Sequence, residues 1–273
     1  MPELPEVEVT RRGIAPHVEG QTVTGVVMRR SGLRWPFPSD LPQLLKDQAI
    51  IATGRRGKYL LIHFAHGSLI LHLGMSGHLR ILPATQPPQK HDHFDLVLGN
   101  QLMRLTDPRR FGAVLWHGSE EGEIEEHSLL RSLGVEPLGR SDLAQILFQQ
   151  SRNRSAAIKQ VLLAGDIVVG VGNIYACESL FEAGIHPATA ARRVSLQRYT
   201  RLAAAIQRIL AAAITQGGSS LRDFIGADGQ SGYFQQSYFV YDREGEDCRQ
   251  CGNTVRRIVQ GQRSTFYCAR CQR

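Results

Sequence analysis

The chain has 273 residues, 42% of them hydrophobic and 21% charged, a balance that fits a folded protein and excludes a disordered one. Lys and Arg outnumber Asp and Glu by 32 to 25, so the net charge is +7, and a polyanion is the first partner to consider. No apolar run approaches the ~18 residues of a membrane span, and the acidic start MPELPEVEV is unlike a signal peptide, so a cytoplasmic location and no membrane partner are expected.

In chain order, Pro5 can open a helix running to about His17, with Glu6 and Glu8 placed to complement its dipole. Residues 20–117 then carry short apolar runs of strand character: TVTGVVM, KYLLIHF, SLILHL, FDLVL, QLMRL and FGAVLW. Turn residues separate them, which predicts a β-sandwich or barrel. The Gly- and Pro-bearing stretch Leu133–Asp142 reads as a linker. Residues 142–225 look helical. One helix starts near Asn173 and ends at Gly184; another begins behind Ser195 as N-cap and stops at Gly217–Gly218. From Ala183 to Arg222 there are six arginines and no acid, more than the decoration of a solvated helix face.

The chain closes on Cys248, Cys251, Cys268 and Cys271, spaced C-x2-C-x16-C-x2-C. That spacing predicts a zinc ribbon whose intervening residues form two strands, with two disulfides as the alternative. Four cysteines leave no open coordination position, so one structural Zn2+ and no catalytic cofactor are expected. Cys177 reads as a small buried hydrophobe. His91-Asp92-His93 invites a metal reading, but no third ligand strand is evident.

Loss of Met1 would leave Pro2 with a secondary amine, partly neutral and nucleophilic near pH 7. On its own, Met-Pro is an ordinary start. The longer run MPELPEVE, with RRG behind it, resembles the N-terminus of the formamidopyrimidine-DNA glycosylase family. The likeness continues through GKYLL (57–61), LHLGMSGHLRI (71–81), HDHFDLVL (91–98), TDPRRFG (106–112), VVGVGNIYACESLFEAGIHP (168–187), GGSSLRDF (217–224), DGQSGYFQQ (228–236) and GQRSTFYCARCQ (261–272).

The resemblance implies a bacterial repair enzyme that excises oxidised purines from duplex DNA and nicks the strand at the abasic site. It acts as a monomer, located in the cytoplasm at the nucleoid. The implied fold is α+β and multi-domain: residues 1–134 an N-terminal β-sandwich with a leading helix, 135–237 a helix-two-turn-helix domain, and 238–273 the β-hairpin zinc ribbon. Pro2 is implied as the nucleophile on C1′, Glu3 as its acid–base partner, and Glu6 as support in the same site. Lys58 would move protons or hold the 3′-side phosphate during β-elimination, and Arg263 would assist δ-elimination.

A glycosylase must flip its target and fill the gap. Met75, Arg109 and Phe111 match the family's filling residues, with Arg109 reading the widowed cytosine. Apart from the resemblance, Met75 and Phe111 would read as core. His91, Arg110, Arg154, Lys159 and Asn173 are the implied DNA contacts. The stretch RNRSAAIK (152–159) departs from relatives, which are often lysine-rich there.

The sister family, endonuclease VIII, prefers oxidised pyrimidines. It typically has glycine where Leu4 stands and fills the gap from another loop. A catalytically silent DNA-binding protein is the alternative from another class, and intact Pro2, Glu3 and Lys58 argue against it.

Overall fold

The computed structural model describes residues 2–218 and 238–273. GGSSLRDF beyond Gly218 and all of DGQSGYFQQ lie outside the described residues. The described residues divide into two units, one of residues 2–131 with 216–218, the other of 132–215 with 238–273.

In the first unit, α1 (Leu4–Val18) starts with Pro5 in its first turn. The Glu3 backbone N–H donates to Glu6 Oε2 at 2.8 Å, which closes the helix start. Eight strands succeed it: β1 (Gly25–Met28), β2 (Ala52–Arg56), β3 (Tyr59–Phe64), β4 (Gly67–His72), β5 (His78–Pro83), β6 (Asp92–Leu98), β7 (Gln101–Thr106) and β8 (Ala113–Gly118). A short α2 (Leu41–Leu45) precedes β2. The strands form two antiparallel four-stranded sheets, ordered β1-β6-β7-β5 and β2-β3-β4-β8. Leu60, Ile62, Leu69 and Leu71 of one sheet share a core with Leu79, Phe94, Leu96, Met103 and Leu105 of the other, and Val7, Ile14 and Val18 of α1 join it. Two separate sheets sharing a core make a sandwich, not a closed barrel.

Register decides where the loops emerge. Met28 pairs with Phe94, Phe94 with Leu105, and Thr106 with His78. The end of β1, the start of β6, the end of β7 and the start of β5 therefore lie at one edge. In the other sheet Tyr59 pairs with His72 and His72 with Ala113, so the β2–β3 turn, the end of β4 and the start of β8 share an edge. The chain crosses between the two edges twice, through residues 73–77 and 107–112.

Helix α1 runs along β2. Glu19 Oε1 accepts from the Thr53 N–H at 2.8 Å, and Arg55 Nε donates to Glu8 Oε2 at 3.2 Å. Moving back along the helix thus moves forward along β2, and the helix N-terminus heads for the Gly57–Lys58 turn. Burial pushes the Glu8 carboxyl up, but hydrogen bonds from Arg11 and Arg12 and the charge of Arg55 win and hold it at about 2. A carboxyl depressed in the folded state contributes stability above its unfolded pKa and loses it as pH falls through the folded one. Glu8→Gln is therefore expected to flatten stability between about pH 4.5 and 2, measured by urea titrations across that range; an unchanged acid limb would contradict the tether.

The second unit holds α3 (Leu143–Gln150), α4 (Ile158–Ala164), α5 (Asn173–Glu182), α6 (Leu196–Thr215) and the hairpin β9 (Arg256–Gln260) and β10 (Arg263–Tyr267). The ribbon packs in the same unit as the helices: Cys177 and Phe181 of α5 share a cluster with Val240, Val255 and Phe266. Glu178 accepts from the backbone N–H groups of Phe239, Val240 and Tyr241 at 2.8–3.0 Å, and this pins the chain where it enters the ribbon. Among the described residues, no helix is long and apolar enough to cross a membrane.

Candidate functional site

Pro2 and Glu3 are buried at the start of α1. Lys58, half-buried, sits in the β2–β3 turn toward which that helix end points. His72, across from Tyr59, is a residue the sequence reading passes over. Burial, then the charges of Lys58 and Arg34, push its pKa down to about 4, so it is neutral at pH 7. The Gly74 N–H donates to His72 Nδ1 at 3.0 Å, which puts the ring proton on Nε2. Lys58 is thus flanked by a neutral imidazole rather than a second cation.

The two crossing segments carry the gap-filling candidates. Met75 lies in the first, half-buried; Phe111 in the second is 48% exposed, so it is no core residue. The Arg109 guanidinium stands 5.2 Å over the Phe111 ring. The segments touch: a Cβ on Gly74, whose φ is +63°, would lie 2.5 Å from Gly112 N. Fully buried Asp107 ties them further. Its Oδ1 accepts from Ser76 Oγ at 3.2 Å and its Oδ2 from the Gly112 N–H at 2.8 Å.

Arg110 and His91 line one cleft together with Arg30, Lys90, His93 and Pro108. Arg110 has φ +60°, an uncommon conformation outside glycine that costs about 1–3 kcal/mol. The loop before β6 is held in place. Buried Arg104 makes a two-pronged pair with Asp95, both bonds 2.8 Å, and reaches the Gln86 and Pro87 carbonyls at 3.2 Å. Asp92 spends its carboxylate on Arg80, Thr106 and the Gln89 N–H, so it is no metal ligand beside His91 and His93.

The second unit holds the remaining candidates. Arg263 is exposed, at the end of a two-residue turn, Gly261–Gln262, both at positive φ. The next residues, Ser264 and Thr265, hold Lys159. Its ammonium donates to Thr265 Oγ1 at 2.6 Å, Asn173 Oδ1 at 2.6 Å and the Ser264 carbonyl at 3.2 Å. Lys159 is 0% exposed. There the side chain is a strut joining α4, α5 and the hairpin. Asn173 Nδ2 donates to the same Ser264 carbonyl at 3.0 Å, so the Asn173 amide is bound at both ends. Arg154 is half exposed but paired with Asp166 at 2.5 Å, a surface pair of about 0–1 kcal/mol that a phosphate can displace.

Lys159→Met is expected to cost about 1–3 kcal/mol, the scale for leaving buried acceptors without their donor. Thermal melts would show it, with Lys159→Arg failing to restore stability in so tight a site. A melting point within a degree of the parent would show that the strut is not needed.

The four ribbon sulfurs lie within 4.8 Å of one another. Cys251 and Cys268 are 3.5 Å apart and Cys248 and Cys271 3.9 Å, too far for disulfides and close to the roughly 3.8 Å of thiolates around a tetrahedral zinc. Among the described residues, this is the one such cluster.

Comparison with known proteins matches residues 1–114 to the formamidopyrimidine-DNA glycosylase N-terminal domain, 133–225 to the H2TH domain of the same proteins, and 245–273 to a zinc finger found in FPG and IleRS. Proteins named formamidopyrimidine-DNA glycosylase from Herminiimonas arsenicoxydans and Burkholderia thailandensis are 71% and 58% identical, over the full length of both chains. Among solved structures, the Lactococcus lactis Fpg in complex with N7-benzyl-Fapy-dG containing DNA superposes with a TM-score of 0.91 at 31% identity, covering 100% of each chain. The Thermus thermophilus protein does so with 0.88 at 37%, covering 99% of this chain and 98% of its own.

Proposed function

Since the chain belongs to the formamidopyrimidine-DNA glycosylase family, we propose which of its residues carry the family's reaction. The protein is a base-excision DNA glycosylase that removes oxidised purines from damaged duplex DNA and cleaves the strand at the abasic site. The ribbon cysteines hold one structural zinc.

With Met1 removed, the Pro2 amine attacks C1′ of the damaged nucleotide. The base leaves with the bonding pair and takes up the proton that the amine sheds; Glu3 then supplies a proton to O4′ as the C1′–O4′ bond breaks and the ring opens, and a cationic iminium remains on Pro2. The iminium acidifies the neighbouring C–H, and loss of that proton expels the 3′-side phosphate; Lys58 moves the proton or steadies the phosphate. Arg263 grips phosphate and assists the second elimination. Glu6 orients Glu3 by accepting its backbone N–H. The observation that carries this reading is the course of α1 along β2, which sends Pro2 and Glu3 toward Lys58. An enzyme that works on chromosomal DNA belongs in the cytoplasm at the nucleoid.

At the DNA, Met75, Arg109 and Phe111 fill the gap, while His91, Arg110 and Arg154 hold phosphates. Lys159 and Asn173 act at one remove, by fixing the hairpin that carries Arg263. Adjacent arginines differ in role because their side chains part: Arg109 lies over Phe111, and Arg110 faces the cleft with His91.

Affinity for 8-oxoguanine opposite each of the four bases tests this reading. Arg109→Ala is expected to lose about 1–3 kcal/mol of discrimination among the opposite bases. Arg110→Ala is expected to weaken all four duplexes alike. The reverse pattern would exchange the two assignments.

A further inference from the structure

The cleft that holds His91 and Arg110 gathers more positive charge than one phosphate needs, and the sheet register explains why. The ends of β1, β6 and β7 lie side by side. Two bonds carry their pairing one step past the strands: the Arg29 N–H donates to the His93 carbonyl and the Asp107 N–H to the His91 carbonyl, both at 3.0 Å. The next residues outward on each segment are Arg30, Lys90 and Pro108–Arg110. Each segment thus delivers one full cation to the same cleft.

Among the described residues, no carboxylate lines it. The nearby acids face elsewhere: Asp92 and Asp95 are spent on Arg80, Arg104 and Arg29, and Asp107 on Ser76 and Gly112. Arg29 is neutralised by Asp95 at 2.5 Å, whereas its neighbour Arg30 is exposed and turned to the cleft, with Nε bound to the Gly32 carbonyl at 2.9 Å. Among the described residues, no acid pairs with Arg30, Lys90 or Arg110. Three convergent cations without a counter-charge, one of them on a strained backbone, make an anion site.

We propose that Arg30 and Lys90 form a second phosphodiester site beside that of His91 and Arg110, so that this sheet edge grips two backbone phosphates. The proposal rests on the DNA glycosylase reading and extends the protein's footprint beyond the residues assigned to it.

The test is the salt dependence of binding to undamaged and 8-oxoguanine duplexes, for Arg30→Ala, Lys90→Ala and Arg110→Ala in the full-length zinc-loaded protein. Each phosphate contact contributes about 0.9 to the slope of log K against log salt. Arg30 and Lys90 share one phosphate, so each single substitution is expected to make the slope shallower, and the double variant to make it shallower by about that much in all. The double variant's affinity deficit should then shrink about 3.5-fold between 50 and 200 mM salt, equally for both duplexes. Arg30→Lys should keep the slope. Unchanged slopes for Arg30→Ala and Lys90→Ala beside a shallower one for Arg110→Ala would overturn the second site alone. Unchanged slopes for all three would overturn it together with the assignment of this edge to DNA. Both side chains are exposed, so these substitutions leave the core intact.

Discussion

Pro2→Gly is expected to lose base excision and strand nicking together, by at least about a hundredfold each. The substitution keeps an N-terminal amine, but it removes the ring and the fixed φ that aim it from the start of α1. One covalent intermediate serves both steps, so both fall by the same factor. Glu3→Gln should behave differently. It withdraws a proton donor that matters most when the base leaves and the sugar opens, worth about 10²–10⁴-fold in excision. Nicking of a preformed abasic site, where no base has to leave, should suffer less. Single-turnover rates on 8-oxoguanine and abasic duplexes separate the two variants. Equal losses on both substrates for Glu3→Gln would place its role in a step that excision and nicking share, not in departure of the base.

Cys248→Ser is expected to release the zinc and abolish tight DNA binding. Structural zinc supplies about 10–16 kcal/mol in small ribbons, more than so short a hairpin gains from its own packing. The consequence reaches further than Arg263. Ser264 and Thr265 hold the Lys159 ammonium, and Ser264 also binds Asn173. A melted hairpin therefore leaves a buried ammonium without two of its acceptors, and the helical unit should lose stability too. The sandwich, with its own core, should keep its melting transition. Zinc analysis with calorimetry would check this. Retention of one zinc with unchanged affinity would refute the ribbon assignment, and loss of zinc with an undisturbed helical unit would refute the coupling through Lys159.

The physics of each element decides whether its sequence displays it. The ribbon was legible because metal geometry demands the cysteine spacing. Strands β3, β4, β6 and β7 were legible from their apolar runs. Strand β2, ATGRR, has almost no apolar side chain; α1 covers it through Glu8, Glu19 and their polar partners, so its strand character comes from pairing with β3. Strand β5 was hidden inside a motif read for its methionine.

Site chemistry divides the same way. Pro2, Glu3 and Lys58 were named through the family resemblance, not by their residue types, and only strand register shows that the 73–77 and 107–112 crossings emerge at matching edges. Nothing in the sequence around Lys159 marks its burial, because its acceptors Ser264 and Thr265 lie more than a hundred residues away. The positive φ of Arg110 and the neutral state of His72 have no local sequence mark.

The most direct test of the account is where the covalent intermediate forms. Borohydride reduction of the full-length protein on an 8-oxoguanine duplex should trap one protein–DNA adduct, and peptide mass spectrometry should place the sugar on the amine of Pro2, with Met1 absent. Lys58→Ala should slow elimination yet still give the adduct at the same residue. An adduct on Lys58, or trapping in a protein that keeps Met1, would contradict the account.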